Sequence, residues 1–210
     1  VSGDYVQPYL LAGLAYGGLS DKHWDASDRT IDFFDCKGDV ETLFSPYRLD
    51  MQAAEHPALH PGKTAKILCQ GIKVGWLGVL HPRISQKKGI KEEVVIFEVE
   101  TESLAKRPLA KYKPVSKYPM VYRDISVLVP SDVAVGEIFN VLNGSFVPYV
   151  LDFALFDVYL GKGIQNNKKG LAFRVLLQDT HNTLKDQQVD DSMRQLVMIL
   201  KQKFKAELRE

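Results

Sequence analysis

The sequence predicts an α+β protein in two parts, each built on an antiparallel sheet. In the first half, short apolar runs recur between glycine and proline turns, which is typical of antiparallel strands. In the second half, the predicted order of elements is β-α-β-β-α, with room for a short closing strand. That order is the ferredoxin-like split β-α-β plan, in which two helices lie on one face of one sheet.

In the first half, the apolar and turn residues predict a buried strand, a helix ended by Ser45-Pro46, a hairpin and a final strand between two short helices. In chain order these elements cover residues 9–16, 33–45, 65–69 with 72–80, 83–88, 94–100 and 102–106. Thr101 is predicted to cap the last of the helices. Gly75 and Gly78 lie inside a strand and indicate a bulge or a close backbone approach.

Three prolines follow between residues 108 and 119. Because proline restricts itself and the residue before it to extended conformations, this segment is predicted to be an extended linker. We therefore predict a first domain over 1–115 and a second over 116–210. In the second domain, Ser131 and Asp132 are predicted to begin one helix and Thr183 to cap the other. The predicted elements are strand 124–129, a helix ending at Gly144, strand 149–159, a turn over 161–169, strand 170–178, a helix to Phe204 and a strand over 206–209.

Composition limits the function classes. The chain has 210 residues, 45% of them hydrophobic, and no run of 18 apolar residues that would predict a membrane span. It begins at Val1 without a signal peptide, so we expect an excised or processed fragment. Cys36 and Cys69 are the only cysteines, which predicts neither a zinc site nor a disulfide framework and suits a reducing, cytoplasmic setting.

The charge of the chain argues against a protein that binds nucleic acid mainly through phosphate contacts. The chain has 27 basic and 26 acidic residues, and the balance holds in both halves, with 15 of each before residue 116 and 12 against 11 after it. A nucleic-acid-binding domain of that kind carries a clear basic excess. Any binding of nucleic acid must therefore depend on local geometry.

The second half contains the strings SKYP (116–119), VYRDI (121–125), LFDVY (155–159), GKGI (161–164), KKGLAF (168–173), QD (178–179) and TL (183–184). In their order and spacing, these strings resemble the anticodon-binding domain of one enzyme family. The first half adds DFFD (32–35), KGDVE (37–41), HPALHPG (56–62) and GWLGVLHP (75–82). Together these strings resemble the C-terminal part of bacterial phenylalanyl-tRNA synthetase β subunits.

The resemblance implies a fold and an activity for the whole enzyme. It implies that the first half is a non-catalytic domain related to class II synthetase cores, which packs against the catalytic α subunit. The usual assembly is an α₂β₂ heterotetramer that aminoacylates tRNA(Phe), and ATP, Mg²⁺ and phenylalanine serve the α subunit. The chain by itself is expected to hold no cofactor, because no nucleophile–base pair or phosphate-binding glycine loop is visible.

The resemblance also implies anticodon contacts. Tyr159 is expected to stack on a base, and Asp157, two residues earlier on the same strand face, to accept a hydrogen bond from a base. The cationic candidates for contact with the RNA backbone are Arg123, Lys162, Lys168, Lys169 and Arg174. The family often has arginine where this chain has Leu160 and serine where it has Gly170.

Three alternatives remain open from the sequence. His56 and His60 are four residues apart, as in some metal sites, but the prolines that follow each of them favour turns instead. The acidic residues between Asp32 and Glu41 suit either magnesium or the positive end of a helix. The whole chain could also be a structural module for subunit packing with little RNA contact of its own, which its near-neutral charge favours.

Overall fold

A computed structural model describes residues 7–21, 23–25, 28–105, 109, 112, 114–161, 164 and 167–209. The chain forms two compact units, residues 1–110 and residues 111–210. Each unit has its own hydrophobic core, and the two cores share no residue. Across the described ranges, every helix is too short or too polar to span a lipid bilayer.

The described part of the first unit contains an antiparallel five-stranded sheet with the strand order β1-β5-β4-β3-β2. Its strands are β1 (Leu10–Tyr16), β2 (Leu49–Ala53), β3 (Leu59–Cys69), β4 (Ile72–Leu80) and β5 (Val94–Glu100). Its helices are α1 (Phe33–Phe44), α2 (Pro82–Lys88) and α3 (Thr101–Ala105). The positions of the predicted strands, hairpin and helices are confirmed, whereas the short edge strand β2 was not predicted. The predicted burial of the first strand is wrong, because β1 is the other edge strand and its residues are mostly exposed.

Helix α1 covers one face of this sheet and begins at a reciprocal cap. Asp32 accepts hydrogen bonds from the backbone N–H groups of Phe34 and Asp35, at 2.7 and 3.2 Å, and Asp35 accepts one from the N–H of Asp32 at 2.8 Å. Arg29 donates two hydrogen bonds to the Asp35 carboxylate, at 2.8 and 2.7 Å. These contacts hold the first turn of α1, whose inner side buries Cys36 and Val40 against the sheet.

Gly75 and Gly78 are places where backbones approach closely, as the sequence predicted. A Cβ added to Gly75 would lie 2.1 Å from the carbonyl oxygen of Glu98, and one added to Gly78 would lie 2.9 Å from the carbonyl oxygen of Lys63. The register between β3 and β4 also shifts beside Gly75, so β4 carries a bulge there. Only glycine fits this part of β4 without moving the neighbouring strands.

The second unit is a ferredoxin-like domain, as predicted. Its described strands are β6 (Val121–Pro130), β7 (Val150–Tyr159), β8 (Lys168–Leu177) and β9 (Glu207–Leu208), in the antiparallel order β7-β8-β6-β9. Its helices are α4 (Val135–Gly144) and α5 (Asp186–Phe204). Both helices pack on one face of the sheet, where Ile138 of α4 and Leu196 of α5 meet Phe173 in a buried core.

Three predicted helix starts are wrong. Helix α4 begins at Val135, because the Ser131 N–H donates to the carbonyl of Asn167 at 2.8 Å and the segment before α4 becomes a turn. Helix α5 begins at Asp186, and its cap is the hydrogen bond from the Lys185 N–H to the side chain of Gln188, not Thr183. Thr101 is the first residue of α3, and its hydroxyl donates to the Tyr9 carbonyl instead of capping.

Candidate nucleic-acid interface

The two faces of the second sheet differ. On one face, the alternate residues of β6 and β8 are buried under α4 and α5. We call the opposite side, which neither helix covers, the open face. The strand register places these residues on it: Tyr122, Asp124, Ser126 and Leu128 of β6, Ala154, Asp157 and Tyr159 of β7, and Lys168, Gly170, Ala172, Arg174 and Leu176 of β8.

The middle of the open face has a low floor. Ala172 lies between Ser126 and Asp157 in neighbouring strands, and Gly170 lies between Leu128 and Tyr159. Gly170 is buried, because the side chains of Ile164 and Arg209 lie over it. Ala172 is small and half-buried, so a flat group can approach the sheet at Ala172.

Tyr159 stands at one end of this floor, with 38% of its surface exposed. The Arg209 guanidinium carbon lies 5.1 Å from the centre of the Tyr159 ring. Arg209 reaches this place through β9, because its backbone N–H donates to the carbonyl of Ser126 at 3.0 Å. A Cβ at Gly170 would lie 3.6 Å from Arg209 Nη1 and 3.3 Å from Ile164, so glycine leaves space for both side chains.

A second aromatic side chain stands near the other end. The register of β7 against β8 shifts between Leu155 and Asp157, so Phe156 is the extra residue of a bulge and is 54% exposed. The Arg174 guanidinium carbon lies 5.2 Å from the centre of the Phe156 ring. Two hydrogen bonds of 2.8 Å join Arg174 to both carboxylate oxygens of Asp124.

The Arg174–Asp124 pair is electrically neutral as a unit. The hydrogen bonds from Arg174 lower the pKa of Asp124, and those to Asp124 raise the pKa of Arg174. A guanidinium so engaged has less of its charge available for phosphate. Asp157 lies between Phe156 and Tyr159 along β7. In the register of β7 against β8, Asp157 pairs with Ala172 and Tyr159 pairs with Gly170. The predicted shared face of Asp157 and Tyr159 therefore agrees with the register.

The other predicted cations are distributed over both faces. Lys168 forms an ion pair with Glu207 of β9 at 2.7 Å. Arg123 lies toward α5, 3.9 Å from Asp186, and Lys169 donates to the Ser131 carbonyl at 3.0 Å near the start of α4. Lys162 lies outside the described residues. Among the described candidates, only Lys168 and Arg174 come from positions on the open face, and each has an acidic partner.

Sequence reasoning missed Phe156 and Arg209. Strict alternation along β7 would turn Phe156 away from the side that carries Asp157, and only the bulge brings it beside Arg174. The signal for Arg209 was present, since a ferredoxin-like plan puts its last strand next to the first one. That strand pairing brings Arg209 to the side of β6.

Three histidines of the first unit, His56, His60 and His81, bind nearby backbone. Nδ1 of His56, His60 and His81 each accepts the backbone N–H two residues later, at 3.3, 3.0 and 3.1 Å. In each case a proline stands between the donor and the histidine. His81 thereby caps α2, and His60 lies within β3 where the register against β4 shifts. In the described part of the chain, no three His, Cys, Asp or Glu side chains gather as they would around a metal ion.

Two family models match the chain. Residues 116–209 match the ferredoxin-fold anticodon binding domain, and residues 2–101 match the phenylalanyl tRNA synthetase beta chain CLM domain. The two matches lie in different units of the structure and together take in most of the sequence.

Curated relatives give the same result over nearly the whole chain. The phenylalanine–tRNA ligase β subunit of Nitrosospira multiformis is 46% identical over 205 residues, and that of Dechloromonas aromatica is 42% identical over 205 residues. Each alignment covers 98% of this chain and 26% of the relative. The β subunit of Methylococcus capsulatus is 39% identical, with 99% and 27% covered. The chain thus spans about a quarter of the length of these relatives.

Proposed function

This chain belongs to the family of bacterial phenylalanine–tRNA ligase β subunits, and we propose that its second unit binds the anticodon of tRNA(Phe). The domain boundary in this proposal lies at residue 116, where the match to the anticodon binding domain begins. Through this contact the chain helps the complete ligase to select its tRNA. The reaction itself, ATP-dependent aminoacylation, takes place on the α subunit.

The observation that carries the proposal is Tyr159, held by Arg209 at the end of a low floor beside Asp157. Unpaired bases of RNA loops bind by stacking on aromatic rings and arginine planes and by hydrogen bonds at their edges. Tyr159 offers the ring, and the arginine against it keeps the ring in place. The Asp157 carboxylate accepts a hydrogen bond from a base amino or imino group, which a phosphate cannot donate.

The charges support recognition of bases more than of phosphates. Arg174 and Lys168 have acidic partners, and the second half as a whole has nearly equal numbers of basic and acidic residues. We assign the weaker contacts with the RNA backbone to Lys162, Lys168 and Lys169 around the loop after β7, with Arg123 at the margin of the domain. A modest dependence of affinity on salt concentration follows from this distribution.

For the first unit we propose a non-catalytic, class II synthetase-like domain that joins the α subunit in a cytoplasmic α₂β₂ assembly. The sheet face opposite α1 carries exposed apolar side chains, among them Leu10 and Leu14 of β1. A cleft of about 450 Å³ beside them is lined by Trp76, Ile96 and His56. A face of this kind is suited to burial against another protein.

We place ATP and Mg²⁺ on the α subunit. The residues of this chain do not fit a magnesium site at the start of α1, because Asp32 caps the helix and Asp35 is engaged by Arg29. The contribution of this chain is therefore binding and assembly, with no catalytic residue of its own.

The test is binding of an RNA hairpin with the tRNA(Phe) anticodon loop to the 210-residue chain, measured by fluorescence anisotropy at several salt concentrations. Tyr159→Ala is expected to weaken binding by about 1–3 kcal/mol, the usual contribution of one stacked base. Asp157→Asn is expected to reduce discrimination between the native loop and a loop with altered anticodon bases. Tyr159→Phe keeps the ring and is the matched control.

The alternative, a structural module with little RNA contact, predicts a different result. In that case the hairpin does not bind at low salt, or it binds equally to wild type, Tyr159→Ala and Asp157→Asn. The same outcome would remove the proposed anticodon contacts.

A further inference from the structure

We propose that Phe156, with Arg174 and Asp124, forms a second base-stacking site on the open face, which takes another unpaired base of the same RNA loop. This inference rests on the proposed function of the second unit and adds to it where a second base binds. It uses a group of residues that the anticodon contacts assigned to Tyr159 and Asp157 do not include.

The first argument is the exposure of Phe156. A phenylalanine in a strand of a folded domain normally points into the core, yet Phe156 is 54% exposed. The bulge in β7 presents it beside Arg174 of the open face. A bulge that re-aims one side chain is a common feature next to functional sites.

The second argument is the position of Arg174. Its guanidinium is fixed by two hydrogen bonds of 2.8 Å to Asp124 and lies 5.2 Å from the centre of the Phe156 ring. An aromatic ring and a guanidinium plane are the two surfaces on which RNA bases stack. Because Asp124 balances the charge of Arg174, this group attracts flat rings more than phosphates. The pair of Tyr159 and Arg209 has the same composition at the other end of the floor.

The third argument is the spacing of the two groups. Phe156 and Tyr159 are three residues apart on β7, or about 10 Å at 3.4 Å per residue. Three bases in a continuous stack span only about 7 Å. The two sites therefore suit bases that are splayed apart on either side of the small residue Ala172.

The experiment places 2-aminopurine, a fluorescent base that is quenched by stacking, at each anticodon position of the hairpin in turn and adds the 210-residue chain. In Phe156→Leu, we expect quenching to be lost at one position and affinity to fall about 10-fold, within the range for one stacked base. In Tyr159→Leu, quenching is lost at a different position. The dependence of affinity on salt is unchanged in Phe156→Leu, because no phosphate contact is removed.

The matched control is Phe146→Leu. Phe146 is 84% exposed, and its carbonyl accepts a hydrogen bond from Gln195 of α5, on the other side of the sheet, so this variant should bind like wild type. Asp124→Asn is a second variant. This change removes the negative partner of Arg174, which can then contact a phosphate. The slope of log affinity against log salt concentration should therefore become steeper by about one.

Three outcomes overturn the inference, and they can be told apart. If Tyr159→Leu weakens binding while Phe156→Leu changes neither quenching nor affinity, the second site is wrong and the proposed function stands. The second site is also wrong if both variants lose quenching at the same position. If wild type does not bind the hairpin, the proposed function fails and this inference fails with it.

Discussion

Replacing Gly75 by alanine should separate two strands of the first unit. The new Cβ would lie 2.1 Å from the carbonyl oxygen of Glu98 and 2.9 Å from the Cα of Val99. Contacts between carbon and a carbonyl oxygen are normally at least about 3.3 Å, so β5 must move by more than about 1 Å. Overpacking typically costs 1–3 kcal/mol, and we expect about 3 kcal/mol because the atoms in the way are backbone atoms.

Tryptophan fluorescence during urea unfolding measures this effect. The chain has two tryptophans, Trp24 and Trp76, and both lie in the first unit, so the signal reports that unit alone. With a urea dependence of about 1–3 kcal/mol per molar, a loss of 3 kcal/mol lowers the midpoint by about 1–3 M. The RNA affinity of the second unit should not change, because the two cores share no residue.

The matched control is Gly38→Ala in α1. No atom lies within 4 Å of the Cβ that this change would add, so alanine should stabilise the helix by up to about 1 kcal/mol. The two substitutions add the same methyl group and should have opposite signs. A Gly75→Ala variant with the wild-type midpoint would refute the close approach of β4 and β5.

Two further predictions concern acid and thiols. Hydrogen bonds from Arg29, and then from the Asp32 N–H, lower the pKa of Asp35 to about 2, so the Asp35 carboxylate stabilises the fold fully above about pH 4 and loses this effect as the pH falls through about 2. Between these pH values, the urea midpoint of Asp35→Asn should therefore fall less than that of wild type. Equal losses in the two proteins would contradict this role of Asp35. Burial raises the pKa of the Cys36 and Cys69 thiols. Iodoacetamide at neutral pH should therefore modify these thiols only after urea unfolds the first unit. Rapid labelling of the native chain would show instead that the two thiols are accessible.

Much of the fold could be predicted because hydrophobic periodicity and turn residues both point to it. The ferredoxin-like order of the second unit and the hairpin at Gln70-Gly71 follow from these patterns. The predicted helix starts at Ser131 and Thr183 are wrong for different reasons: Ser131 makes a tertiary hydrogen bond, whereas a local cap between Lys185 and Gln188 replaces Thr183. Ser131 donates to Asn167, which is far away in sequence.

The candidate site was predictable only in part. Two-residue spacing is enough to bring Asp157 and Tyr159 to one face. The position of Phe156 depends on a bulge, which breaks that spacing, and the acidic partners of Arg174 and Lys168 come from other strands. A lysine or arginine in a sequence therefore indicates a charge, but its partners decide whether the charge can reach a phosphate.

The two arginines that lie against aromatic rings also have partners far away in sequence. Arg174 meets its partner Asp124 across 50 positions of sequence, and Arg209 meets Tyr159 across a similar interval. Contacts of such long range form late in folding, since distant segments must first be brought together at an entropic cost. A partly folded chain would present neither pair. The surface that these two arginines shape is therefore complete only in the fully closed native sheet.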